Sequence, residues 1–155
     1  AGAIPGVRDY LTTAQQLGLR IYYLSNRKRS QWAATERNLQ ALGLPLEGLD
    51  SLWLRDESSD KQARRDTLAN QATVLQWVGD NLQDMNNFKS YSTEEERLQV
   101  VQGQAERLGR DWILLPNPVY GPWEDLWHTP SEPSVEATSP LRKERLLQRL
   151  RFFRP

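Results

Sequence analysis

Cysteine is absent from the 155 residues, and histidine occurs once, as His128. Without a thiol there is no disulfide, no thiolate zinc site and no cysteine nucleophile. An oxidising compartment is compatible with that absence but is not identified by it. No apolar run approaches the length of a membrane span, and the mean hydropathy is −0.71. Net charge is also missing: 20 Lys and Arg balance 20 Asp and Glu. Overall charge therefore favours neither a nucleic acid nor a membrane surface as partner. The chain opens at Ala1 without an initiator Met, a signal-peptide pattern or a lipidation motif, which reads as a mature or truncated N-terminus.

What is present is a soluble globular composition, 38% apolar and 26% charged, long enough for one core. Pro5-Gly6 makes a turn, and Val7, Leu11 and Ala14 then follow a helical spacing that Gly18 is placed to end. Residues 19–24 are short and rich in β-formers, the pattern of a strand buried on both faces. A helix is expected over residues 30–41, closed by Gly43 and Pro45, and a strand over 50–54. The alternation continues with a helix over 61–70, a strand over 73–78, a helix over 93–108 capped by Ser92 or Thr93, and a strand over 112–115. Such alternation predicts an α/β fold with a parallel sheet and helices on its faces. Ligands in these folds bind beyond the carboxyl ends of the strands, where Ser25-Asn26-Arg27, Asp80-Asn81 and Asn117 fall.

Residues 116–140 hold six of the nine prolines and read as an arm. From Ser139 onward six basic residues face one acidic residue, with Ser139 as N-cap and Pro140 at the first helical position. The division expected is a domain over 1–124, a proline-rich arm over 125–139 and a basic helix over 140–155. In that helix Leu146, Leu147, Leu150 and Phe153 form an apolar stripe, read as docking on the domain in preference to a membrane surface or a nucleic acid.

Three segments could carry chemistry. In VGDNLQD, residues 78–84, a carboxylate just past a strand can face a hard cation, with Asp84 one helical turn on. The plainer alternative is that Asp80 and Asp84 cap backbone amides. In YLSNR, residues 23–27, a hydroxyl, backbone amides and an arginine can hold phosphate oxygens, or form only a solvated turn. In SSDKQAR, residues 58–64, a lysine at a helix start can stabilise charge on a transferring phosphoryl group. Its alternative is an exposed helix face with Asp60 at the N-cap.

Taken in order, PGV, YLSNR, RNLQALGLP, WLRDESSDKQAR, VGDNLQD and LLPNPVYGPWE resemble the bacterial outer-membrane lipoprotein acid phosphatases and their class B-like relatives in the haloacid dehalogenase (HAD) superfamily. The similarity covers about residues 3–124. It implies a Rossmann-like parallel sheet and a Mg2+-dependent phosphomonoesterase, in some relatives a 5′-nucleotidase, working through an aspartyl-phosphate. Ser25 then corresponds to the phosphoryl-binding Ser or Thr, with Asn26 and Arg27 beside it. Lys61 matches the lysine that neutralises the aspartyl-phosphate. Asp80 matches a direct magnesium ligand, and Asp84 a ligand or its support. Tyr120 corresponds to an aromatic that stacks on a nucleobase, with core packing as the alternative for it and for Trp123. The resemblance further implies small phosphate monoesters such as nucleotides as partners, no nucleic acid, and a homodimer as in some relatives. It also implies a secreted, periplasmic or outer-membrane location, with membrane contact only through a lipid anchor. His128, without a nearby Arg-His-Gly, makes no histidine phosphatase and reads as a surface residue.

One motif of that family does not occur. No Asp-x-Asp exists anywhere in the sequence, so the nucleophile and the general acid of DxDxT are both absent. The first strand, which carries them in the middle of the family's sheet, is expected to be missing with them. An isolated chain should then be inactive, and either destabilised or closed up around the gap. The alternative function is a non-enzymatic phosphate-binding or storage-type relative, and a third is an interaction module using the basic helix on membranes.

Overall fold

The computed structural model describes residues 2–86, 88 and 93–117. Tyr120, Trp123, His128, the arm over 125–139 and the helix over 140–155 lie outside these residues. The chain divides into two compact units, Ala1–Leu75 and Gln76–Pro155.

In the first unit, α1 (Val7–Gln16) ends as its sequence predicts. Gly18, at φ 78°, takes the left-handed conformation, and the amides of Gly18 and Leu19 return to the carbonyls of Gln15 and Ala14. β1 (Tyr23–Lys28) pairs in parallel with β2 (Leu52–Arg55), and α2 (Trp32–Ala41) connects them after a short 3-10 turn. Leu39, Leu52 and Leu54 form the buried core of this unit, with Tyr23, Trp32, Leu44 and Leu46 packed against them. Tyr23 donates its hydroxyl to the Pro45 carbonyl at 2.7 Å, and burial pushes its pKa up to about 12. α3 (Gln62–Gln71) then buries Arg65 and Leu68.

In the second unit, β3 (Trp77–Gly79) pairs in parallel with β4 (Trp112–Leu114). Between them lie α4 (Leu82–Met85) and α5 (Glu94–Gly103), and the core is built on Leu82, Met85 and Trp112. The Thr93 side chain accepts the Glu96 amide hydrogen and caps α5, as its position in the sequence predicts. Among the described residues no helix is long and apolar enough to cross a membrane.

Three expectations change. Among the described residues the strands form two two-stranded parallel sheets, β1–β2 and β3–β4, and not one sheet. The first strand begins at Tyr23, not Leu19, because the four-residue β2 reaches only to Leu52 opposite Tyr23; Leu19 is exposed and the segment is not buried on both faces. The helix expected to reach residue 108 stops at Gly103. Beyond it Arg107 pairs with Asp111 at 2.8 Å and stacks 4.0 Å from the Trp112 ring centroid.

Candidate active site

Ser25, Asn26 and Arg27 sit on a bulge. Leu24 and Lys28 are four residues apart on β1, but their partners Trp53 and Arg55 are two apart on β2. The extra residues leave the ladder, which frees their polar groups for other partners. Ser25 Oγ accepts the Arg27 amide hydrogen at 3.2 Å, so its hydroxyl proton can still donate to an oxyanion. Asn26 donates through Nδ2 to the Ser59 carbonyl at 2.8 Å and accepts at Oδ1 from Arg64 Nη2 at 2.6 Å. Arg64 also donates through Nη1 to the Ser25 carbonyl at 2.8 Å. The Arg27 side chain stays exposed.

Lys61 occupies the N-cap position of α3, where its carbonyl accepts the Arg65 amide hydrogen at 2.9 Å. The side-chain cap comes from Asp60, whose Oδ1 accepts the Gln62 amide hydrogen at 2.8 Å. Asp60 therefore stands one residue before the N-cap that its structural alternative assigned to it, and Lys61 stands at the helix start, the position from which an electrostatic role was expected.

Arg64 is the residue that sequence reasoning missed in this unit. Its one signal was spacing, because it lies three positions after Lys61 on the same helix. Burial and the neighbouring Arg65 lower its pKa from the ordinary guanidinium value, leaving it a cation with two acceptors 38 and 39 residues away. Arg64→Ala removes both bonds and is expected to lower the unfolding free energy by about 2 kcal/mol. Arg64→Lys, a single point donor, should recover about half of that loss. Urea denaturation of the three chains checks both values.

In the second unit, the parallel register sets the geometry. Gly79 pairs with Leu114, and the Leu115 amide donates to the Gly79 carbonyl at 2.8 Å. Asp80 and Asn117 thereby emerge at the same carboxyl end, and Asn117 Nδ2 donates to Asp80 Oδ2 at 2.7 Å. Beside them is a cavity of about 200 Å3, with Asp80, Asn81, Arg97 and Asn117 on its polar side and Leu82, Leu114, Leu115 and Pro116 on its apolar side.

Asp84 is used differently. Its Oδ2 accepts the Asn81 amide hydrogen at 3.2 Å, while Asn81 Oδ1 accepts that of Gln83 at 3.2 Å, a capping box at the start of α4. The capping alternative therefore describes Asp84, which does not line the cavity. The turn also requires Gly79, because a Cβ there would lie 2.5 Å from Asp84 Cβ.

The donors at this cavity are carboxylate and amide oxygens, which suit a hard cation. Among the described residues no group of three or more His, Asp or Glu could hold a metal alone. Magnesium needs no such cage, since it keeps most of its water and uses one or two carboxylates with a phosphate. The residues fit that cation.

Residues 1–123 match the profile of HAD superfamily subfamily IIIB, the acid phosphatases. The chain belongs to that family. Its structure is similar to the class C acid phosphatase from Bacillus anthracis, at 29% identity and a TM-score of 0.76. The tungstate-bound form of that enzyme gives 30% identity and a TM-score of 0.75. Each comparison covers 100% of this chain and 63% of the other, so the chain spans under two thirds of the length of these HAD phosphatases. The family hydrolyses phosphomonoesters, and HAD membership implies metal-dependent phosphatase chemistry in general. The family resemblance read from the ordered motifs is thus borne out.

Proposed function

We propose that this chain carries the magnesium-side and part of the phosphate-side machinery of a phosphomonoesterase acting on small phosphate esters such as nucleotides. The observation that carries this reading is Asp80, held by Asn117 at the carboxyl ends of β3 and β4 beside a polar cavity. In the first unit, Ser25 and Lys61 are assigned to the phosphoryl group, the first as hydrogen-bond donor and the second as neutralising charge. Arg64 fixes the Ser25-Asn26 backbone against α3. Magnesium, when bound, supplies charge neutralisation for the ester. Asp80 binds it, Asn117 orients the carboxylate, and Asp84 keeps the intervening turn closed. An oxyanion ligand is consistent with the B. anthracis enzyme, which binds tungstate, an ion of phosphate's shape. Tyr120 as a base-stacking residue, a secreted or periplasmic location and a homodimer complete the proposal on the family resemblance.

Asp80→Asn tests it. The variant should lose at least about tenfold in affinity for magnesium, or for Mn2+ as its paramagnetic stand-in. Asp84→Asn, which keeps an acceptor for the Asn81 amide, should lose less. Unchanged Mn2+ binding by Asp80→Asn would remove Asp80 from the metal site.

One observation favours a second reading, a phosphate-binding relative that performs no catalysis: the 155 residues contain no Asp-x-Asp. In that case Ser25, Lys61 and Asp80 bind the same ligands without turnover.

A further inference from the structure

Arg97 carries two unfavourable features at once. It stands in the first turn of α5, where the helix dipole disfavours a cation and its own amide bonds to the Thr93 carbonyl at 3.2 Å. Its Nε is also buried, with no hydrogen-bond partner among the described residues. A shielded guanidinium nitrogen left unsatisfied costs free energy, and a cation at the positive end of a dipole adds to that cost. The side chain nevertheless lines the same cavity as Asp80, Asn81 and Asn117. An anion in that cavity would offset the cost of a cation at the dipole's positive end, although the buried Nε itself is out of its reach.

We propose that Arg97 is an oxyanion-binding residue of this cavity, and that its ligand is a phosphate ester or inorganic phosphate. The inference rests on the reading of Asp80 as the magnesium ligand and extends it to a residue outside the motifs that suggested the family. Charge supports the pairing: with Asp80 and Arg97 both lining the cavity, a divalent cation and a dianionic oxyanion together leave it neutral. Size supports it as well. The cavity of about 200 Å3 is several times the roughly 30 Å3 share of one water, so a tetrahedral oxyanion and a hydrated cation fit within it. Arginine suits the role because its fork can present two N–H groups to one oxyanion.

The test compares the wild-type chain with Arg97→Gln and Arg97→Lys, titrated with tungstate and with inorganic phosphate at saturating magnesium. Arg97→Gln keeps much of the length and removes the charge. It should weaken binding of both oxyanions by about tenfold or more, and Arg97→Lys by less. Affinity for Mn2+ without oxyanion should stay level or improve, because a like charge has left the cavity. The unliganded Gln variant should melt at or above the wild-type temperature, since a dissatisfied cation has been removed. A structural role would move these readouts the other way. Unchanged oxyanion affinity in Arg97→Gln overturns this inference alone. So does a loss accompanied by an equal loss of Mn2+ affinity and a lower melting temperature. A wild-type chain that binds neither Mn2+ nor oxyanion overturns the inference together with the proposed function.

Discussion

Purified as the 155 residues alone, the chain is expected to hydrolyse p-nitrophenyl phosphate with magnesium no faster than buffer does. Hydrolysis through an aspartyl-phosphate needs one carboxylate to attack phosphorus and a second to protonate the leaving group. No Asp-x-Asp supplies that pair, and six of the aspartates have other partners. Asp50 and Asp56 are paired with Arg20 and Arg29, Asp111 with Arg107, and Asp60 and Asp84 serve as caps. Asp80 is held by Asn117 for the cation. Loss of a covalent nucleophile acts on a scale of about a millionfold, far beyond what binding residues could hide. Adding in trans the DxDxT-bearing segment of a class C phosphatase should restore turnover if the chain is part of an enzyme. Turnover by the pure chain would refute the requirement, and failure of restoration alongside intact tungstate binding would favour the non-catalytic reading.

The polar clusters at strand ends were legible because a short apolar run followed by Ser-Asn-Arg or Gly-Asp has few other uses in an α/β chain. Two helix ends, at Gly18 and Thr93, were legible for the same local reason. Strand limits were not. Apolar residues mark burial, but pairing depends on how far the partner reaches, and β2 and β4 are only four and three residues long. The bulge that carries Ser25 to Arg27 is likewise a property of two strands, invisible in either one. Arg64 and Arg97 escaped notice because an arginine's role depends on what it touches. Arg64 meets Asn26 38 residues away, and Arg97 lies in a run of glutamates that drew attention to the helix cap instead. Asp84 shows the converse. Its motif suggested a ligand or the support of one, and one of its oxygens accepts the Asn81 amide hydrogen at 3.2 Å, the contact of the plainer alternative.

Trp112→Ala is expected to lower the unfolding free energy by about 4 kcal/mol, the largest stability effect among these substitutions. Trp112 is 1% exposed, pairs across the ladder with Trp77, and meets Phe88 edge-on at 5.7 Å. Arg107 covers its ring from 4.0 Å. Removing the indole leaves a void at the base of β4, the strand that delivers Asn117 to Asp80. Magnesium affinity should therefore fall with stability, although residue 112 does not line the cavity. Trp112→Phe separates the two contributions. The indole Nε1–H is buried with no hydrogen-bond partner among the described residues, so phenylalanine removes an unsatisfied donor while keeping a ring face for Arg107. It should cost less than about 1.5 kcal/mol and leave magnesium binding intact. The Arg107 guanidinium also holds the Asp111 carboxyl below its ordinary pKa. A depressed carboxyl contributes its stability above the unfolded-state pKa and loses it only as pH falls through the lower folded value. The Arg107–Asp111 brace over the ring should thus persist in mildly acidic buffer, and the gap between the Phe and Ala variants with it. Guanidinium denaturation of the three chains at neutral and mildly acidic pH, with a Mn2+ titration of each, measures both effects. A Trp112→Ala chain that is as stable as wild type would show that β4 is anchored elsewhere.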